Sequence, residues 1–495
     1  MSGRWRDSRM IQERVIVTGD MVLETPALLG SGDAEGLVDM PLLIDPLEGR
    51  ALLTGSSIAG ALRNYLRRYN SGLAEIIFGS EMPGKSSIAE CWPGNLWQEI
   101  TNNAGEAQGC TQSLLFVDDA LGDMPVVELR DGVAVNPRTG TAEDGAKYDL
   151  ELLAAGSPFK ISLELLVLKG MDKKMLFEGL ALALQGLGKG EIALGGRKSR
   201  GFGRCKIRNW QVVRYDLTGP EGMLSWLANS QANCLYGPDV ASLLGVSLLE
   251  RPIPDKFTLQ ASFTINGSLI NRSPGHFRSS PSPGRESIQA VACLPDTAHL
   301  HSRRDGDYVP VASGTSLAGV LRSRAIKIAN TLGKDAYSLT NNIFGYRRKD
   351  HKDKTKPAAS RLWVEETVIQ NPVPLVQSRI IIDRFTGGAY PGALFDEQPV
   401  FGKDDTSLEV KLSLDNPENC EIGLLLLLLK DLWTGDLALG GESAIGRGRL
   451  SGKKAGLAYA GEQWTIVQAP DGTIQVEGDA SKLEEFVRSC GEVMD

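Results

Sequence analysis

Two stretches of the chain alternate between apolar and polar positions. RVIVTGDMVLET (Arg14 to Thr25) and FTLQASFTINGSLI (Phe257 to Ile270) are rich in β-branched side chains, and a period of two predicts a strand opening each half. The period then lengthens to that of a helix. In GSSIAGALRNYL (Gly55 to Leu66), a helix beginning at Ser56 or Ser57 puts Ile58, Leu62, Tyr65 and Leu66 on one face. A second helix is expected over DKKMLFEGLALALQGL (172 to 187), matched in the other half by the leucine run IGLLLLLLKDLW (Ile422 to Trp433). A last strand follows each glycine-rich loop, in GRCKIRNWQVVRY and GRGRLSG. Strand, helix, strands, helix, strand predicts an α+β chain of two tandem ferredoxin-like, RRM-like βαββαβ domains. RNA-recognition modules use that fold.

The halves repeat one another in wording as well as in period. GSSIAGALRNYL returns as GTSLAGVLRSRA (Gly314 to Ala325), and EIIFGS around Phe78 returns as NNIFGY around Phe344. NPRTG at Arg138 is answered by DRFTG at Arg384, and LGGRKSRGFGR (Leu194 to Arg204) by LGGESAIGRGR (Leu439 to Arg449). These landmarks keep their order at offsets of 259, 266, 246 and 245, which is too regular for chance. The expected domains are 1–245 and 246–495, with a seam near Pro252 and Pro254. Residues 80 to 135 lengthen the first half relative to the second, and an acidic, polar tail follows about residue 455.

Composition narrows the partners. A chain of 495 residues is too long for one core, and its 42% hydrophobic and 23% charged content is ordinary for a globular protein. The longest apolar run is broken by Lys430, too short for a membrane span, and reads as a buried helix. The N-terminus is charged throughout, unlike a secretory signal, and the seven cysteines form no CxxC pair, so a reducing cytoplasm is expected. With a net charge of −8, any nucleic-acid binding must come from local basic patches.

Three such places stand out. A glycine followed by two hydroxyl residues at a helix start leaves backbone N–H groups directed outward, which suits a phosphate. That nominates Ser56, Ser57 and Arg63 in the first copy and Thr315, Ser316 and Arg322 in the second. Simple helix capping by the serine, with a solvated arginine, is the competing reading. The loop from Gly195 to Arg208 carries Arg197, Lys198 and Arg200 with no acid, and its glycines let a backbone approach closely. It lacks the Gly-Lys-Ser/Thr of a nucleotide-binding P-loop, and a basic surface hairpin is the alternative. Its second copy retains Arg447 and Arg449 alone, so a weaker or redirected grip is expected there. GYRRKDHKDKTKPAASR (345 to 361) reads as a mobile basic loop that touches RNA or is merely solvated. Among the acids, Asp39 lies 16 residues before Gly55, while Asp296 lies 18 before Gly314 in a segment that also carries His299 and His301, which either pack or face RNA. Asp33, Glu35 and Asp45 are neighbours that could assist Asp39 or cap turns.

The blocks DMPLLIDPLEGRALLTGSSIAGALR (Asp39 to Arg63), RTGTA with GSPF (Gly156 to Phe159), and LGGRKSRGFGR resemble the RAMP superfamily, specifically the backbone subunits of type III CRISPR effector complexes. Two fused copies resemble the double backbone subunit of type III-D systems. The resemblance implies a cytoplasmic subunit that holds a CRISPR guide RNA, pairs it with target RNA beside other subunits of the complex, and cuts the target. It implies a protruding β-hairpin thumb at about 80–150, RNA contacts at Arg138 and Arg384 as well as the residues above, and Asp39 as the cleavage aspartate. Asp296 is the counterpart in the second copy, where the DxP wording is absent. Cleavage beside a flipped nucleotide would use the neighbouring 2′-OH, with Mg2+ (or Mn2+) at Asp39. Three other readings compete: a guide-binding scaffold that does not cut, a guide-processing ribonuclease, and a nucleotide-dependent metabolic enzyme. The guide-processing reading conflicts with the absence of any histidine before His276 if histidine is the acid or base. The metabolic-enzyme reading leaves the duplication unexplained.

Overall fold

The computed structural model describes residues 10–32, 38–79, 112–248, 255–274, 295–346, 357–469 and 471–491. The expected extra loop at 80–111, the core of the basic loop at 347–356, and Asp33 and Glu35 lie outside the described residues. The chain divides into two compact units. The first comprises Met1–Glu128, Glu151–Gly196 and Gly203–Pro254, and the second comprises Leu129–Leu150, Arg197–Phe202 and Asp255–Asp495. Two segments of the first half thus belong to the second unit, which no reading of the repeat had suggested.

The first half runs β1 (Ile11–Leu23), α1 (Gly55–Tyr69), α2 (Ser71–Phe78), β2 (Leu115–Val117), β3 (Val127–Val135), β4 (Ala142–Leu153), β5 (Pro158–Leu168), α3 (Lys173–Gly188), β6 (Cys205–Asp216) and β7 (Leu235–Gly237). The sheet order β2-β5-β1-β6-β7 is antiparallel throughout, and its first four strands give the ferredoxin-like arrangement. Alternation along β1 buries Val15, Val17, Met21 and Leu23 against the helices. Helix α1 buries Ile58, Ala61, Leu62 and Leu66 at helical spacing, and burial of each of the three larger side chains stabilises by about 1.5–3 kcal/mol. Tyr65 lies at the margin of that face, where its hydroxyl donates to Glu191. The helix begins at Gly55, capped by Thr54, one residue ahead of the predicted start.

The second half runs β8 (Lys256–Asn266), β9 (Thr297–His299), β10 (His301–Arg304), β11 (Asp307–Ala312), α4 (Gly314–Thr331), α5 (Ala336–Phe344), β12 (Leu362–Val364), β13 (Thr367–Gln370), β14 (Gln377–Ile382), β15 (Ala389–Gln398), β16 (Ser407–Asp415), α6 (Asn419–Trp433), β17 (Arg449–Tyr459), β18 (Glu462–Gln468), β19 (Ile474–Glu477) and α7 (Ala480–Gly491). Its sheet reads β10-β11-β13-β16-β8-β17-β18-β19, with β12 also paired to β16. The same four-strand core therefore recurs: Leu259 lies opposite Leu412 on one side and Leu457 on the other. The leucine run is the buried helix α6, with Ile422, Leu425, Leu428, Leu429 and Leu432 inside. The tail is more structured than its polarity suggested. It forms β18, β19 and α7, whose Leu483 and Phe486 enter the core, and α7 passes so close to α6 that a Cβ on Gly423 would meet the Phe486 carbonyl oxygen at 2.1 Å.

Candidate nucleic-acid interface

At the first helix start the exposed N–H groups are largely spoken for. Gly55 N–H donates to Asp119 Oδ1 at 2.7 Å, and Ser57 N–H donates to Thr54 Oγ1 at 3.3 Å. The hydroxyls of Ser56 and Ser57 are exposed and lie within hydrogen-bond distance of the same Thr54 oxygen. An internal carboxylate therefore occupies the end of the helix where an external anion was expected, and it complements the helix dipole itself.

The second helix start is built differently. Ser313 Oγ accepts from Thr315 N–H at 3.2 Å, and Thr315 and Ser316 are half-buried. The residue corresponding to Asp119 is Glu366, which reaches away to Arg130 at 2.9 Å and Arg304 at 2.7 Å. In its place the tip of the first glycine loop approaches. A Cβ on Gly314 would sit 2.3 Å from the Arg200 carbonyl oxygen and 2.6 Å from that of Val364, so only glycine fits. Arg197, Tyr148, Arg272, Ser313 and Thr315 line a crevice of about 40 Å³. Arg197 donates to the Tyr148 hydroxyl at 2.7 Å. Arg200 donates to Phe344 O at 3.3 Å, and burial followed by the charges of Arg322 and Arg197 lowers its guanidinium to about 10. Its Nη1 is buried with no hydrogen-bond partner among the described residues. Such a crowd of partly desolvated cations favours an incoming anion. Of the predicted residues, Arg197, Lys198, Arg200, Thr315 and Ser316 are gathered within the second unit, and Tyr148 and Arg272 join them unpredicted.

The loops themselves repeat in backbone. Arg197 and Glu442 both take φ values in the left-handed region (52° and 59°), as do Gly201 and Gly446 (89° and 90°), around matching 3-10 turns at Lys198–Arg200 and Ser443–Ile445. The side chains diverge. Arg447 is 4% exposed and pairs with Glu442 at 2.9 Å and Glu397 at 3.2 Å, so its predicted RNA contact is corrected to an internal ion pair.

Arg63 and Arg322 are corrected likewise. Arg63 is buried and donates to Gly79 O at 2.8 Å, while Arg322 donates to Gly345 O at 3.2 Å and Asn341 Oδ1 at 2.6 Å. The repeated arginine ties the end of the following helix in both copies, which explains its repetition without a ligand. Arg361, at the end of the basic loop, is spent on the carbonyls of Asn342 and Asn416 and on Glu421.

The RTG block and its RFTG counterpart are each the tip of a hairpin, β3–β4 in one copy and β14–β15 in the other. The hairpin at 127–153 overlaps the 80–150 where the resemblance implied a thumb, and a second hairpin at 377–398 matches it. Asn136 accepts from the N–H groups of Arg138 and Thr139, and Asp383 from those of Phe385 and Thr386. Structural register therefore pairs Arg138 with Phe385 and Arg384 with Pro137, one residue off the sequence alignment. Both arginines are exposed.

The two aspartates come into register for the opposite reason. Leu42 bridges back to Gly30, as His299 pairs with Arg272, and Leu43 N–H donates to Leu29 O as Leu300 N–H does to Asn271 O. Counting three residues back from Leu42 and His299 reaches Asp39 and Asp296, so they occupy one structural position. Both are exposed. Asp296 Oδ2 accepts from Asp396 N–H at 2.9 Å. Asp45 caps a turn through Leu47 and Glu48 N–H and does not join Asp39. No cluster of three or more potential metal-ligating side chains is formed among the described residues. An exposed single carboxylate fits a hydrated magnesium ion that keeps most of its waters, and not a closed protein cage.

His299 is packed. Its Nδ1 lies 3.2 Å from Asn271 N and its Nε2 3.0 Å from Val311 O, which one neutral tautomer satisfies. Burial, with His301 beside it, pushes it down to about 3. A residue so held does not serve as an acid at neutral pH.

A fifth repeat went unnoticed in the sequence. LFVDD (Leu115 to Asp119) and LWVEE (Leu362 to Glu366) each contain the matching strand, β2 or β12, and place Asp119 and Glu366 just after it. Paired acids after a short apolar strand were the available signal.

With this geometry in view, the sequence profile of the RAMP superfamily matches residues 20–206 and 295–451, more than half of the chain. The chain belongs to the RAMP superfamily. The two matched regions make it a two-copy RAMP protein of ferredoxin-like fold. It is also similar to a protein named CRISPR system Cms endoribonuclease Csm3, from Methanocaldococcus jannaschii. The two are 26% identical over 213 residues, covering 41% of this chain and 82% of that protein. No described helix of this RAMP chain is long and apolar enough to cross a membrane.

Proposed function

We propose that the chain is a double backbone subunit of a type III CRISPR effector complex, holding guide RNA and cutting the paired target RNA at Asp39 and at Asp296. The observation that carries this reading is the shared position of the two exposed aspartates, reached by the same ladder in both copies of a RAMP fold. The similarity to a Csm3 protein supports the type III assignment. Backbone phosphates would lie along the basic loop Arg197–Arg200 and the crevice that Arg197 and Thr315 line, contacts that read no sequence and leave specificity to the guide. The exposed hairpin tips at Arg138 and Arg384 would press on the duplex. Each aspartate would orient the 2′-OH of the nucleotide before the scissile phosphate and hold its proton. Mg2+ or Mn2+, held by the same carboxylate through water, would supply charge neutralisation at the phosphate.

The test is the assembled complex with a labelled target. Small RNA that co-purifies should share a repeat-derived tag. Asp39→Ala should remove one cut and Asp296→Ala another, each by at least a hundredfold, with target affinity unchanged. A heterogeneous RNA pool would sink the reading. Retained cutting in both variants would leave a scaffold that binds and does not cleave.

A further inference from the structure

Matched positions in the two glycine loops differ in cover. Lys198, Ser199 and Arg200 are half-buried and Gly201 is buried, whereas Ser443, Ala444, Ile445 and Gly446 are all exposed. A Cβ on Gly201 would sit 2.3 Å from the Glu366 backbone nitrogen, while one on Gly446 meets nothing within 4 Å. At the base of the hairpins, Glu128 is 1% exposed and its counterpart Leu375 is 51% exposed. The first loop tip is thus seated in the second unit, on the start of α4 and the edge Val364–Glu366, and the second loop tip is bare.

The bare tip is also apolar. Ser443 and Ile445 stand where the first copy has Lys198 and Arg200, Leu375 stands where it has Glu128, and Ile445 is 54% exposed. A seat of the kind that α4 offers exists in this chain at Gly55 and Val117–Asp119, but it carries the exposed pair Asp118 and Asp119. Covering those carboxylates with an isoleucine would desolvate them without a cation. We propose that the loop Ser443–Gly446, with Leu375 and Val376, is the docking face for a different subunit of the same fold. That partner offers a glycine helix start beside an apolar, non-acidic strand edge. This proposal rests on the two-copy reading of the chain and not on RNA cleavage, so a complex that assembles and fails to cut leaves it standing.

The experiment uses the full chain carrying a photo-crosslinking benzoylphenylalanine at Ile445, co-expressed with the other RAMP-fold subunits of the proposed complex. One adduct is expected, mapping to the first-helix start of one such protein. Ile445→Asp should weaken the association roughly tenfold to a hundredfold, while Leu227→Asp, on an exposed face of the first unit, should leave it unchanged. The purified chain alone should sediment as a monomer. Association with none of those proteins, an adduct to RNA, to a second copy of the chain at Gly55–Asp119, or to a protein of another fold, or no adduct in an assembled complex, would overturn the proposal.

Discussion

The two helix starts carry the same sentence and do different work. At Gly55 the chain closes the helix end with its own Asp119, whereas at Gly314 the matching Glu366 is withdrawn into an ion triad and a basic loop takes the space. One mechanism, a carboxylate against a helix N-terminus, has been exchanged for another, a buried anion that anchors a cationic surface. A duplicated motif therefore predicts a duplicated backbone, and the charges around it decide whether an external phosphate is welcome.

The sharpest way to break this comparison is the acidic pair. Glu366 is fully enclosed; burial alone would raise its carboxyl, but Arg130 and Arg304 hold it below the usual range. Glu366→Ala strands two guanidiniums and should cost the second unit about 3–5 kcal/mol, read as a drop in its unfolding midpoint. Asp119→Ala removes an exposed cap and should cost the first unit about 1 kcal/mol. Equal losses would show that the two starts are equivalent after all.

His299 gives a smaller, pH-dependent effect. Its folded value lies below its unfolded one, so the stability it supports is complete above pH 6.5 and declines as the pH falls toward 3. Between pH 7 and pH 5 the second unit should lose about 2 kcal/mol from this group, measured by denaturant titration at each pH. His299→Leu places there the residue type of Leu42 in the first copy, and it should flatten the profile even though two hydrogen bonds go.

Guide RNA affinity should separate the two loops. Arg197→Ala with Lys198→Ala should lower the slope of log affinity against log salt by about 2, whereas Ser443→Ala in the second loop should leave it unchanged. Smallest of all, Thr54→Ala and Ser313→Ala should each cost about 1 kcal/mol in thermal denaturation, since both caps accept one backbone N–H. A larger loss at one of them would mean that its helix end carries more than a cap.

Much of the fold was legible because periodicity and glycine act locally. Alternation in β1 and β8, the amphipathic face of α1 and the leucines of α6 report burial within a few residues. The repeated arginines were legible as a pattern and misread as contacts, because their partners Gly79 and Gly345 lie a helix away. Counting from the helix start put Asp296 two residues out of step with Asp39, and only the ladder through Leu42 and His299 removes the slip.

From the sequence alone came the duplication, the α+β order of elements, and the two aspartates and the glycine loops as places of interest, since these follow from composition and short-range spacing. Which charges are bare, which are spent on one another, and which half's loop and hairpin are built into the second unit depended on contacts between residues more than a hundred positions apart. Such contacts are fixed by packing and desolvation in three dimensions, and no local pattern of side chains encodes them.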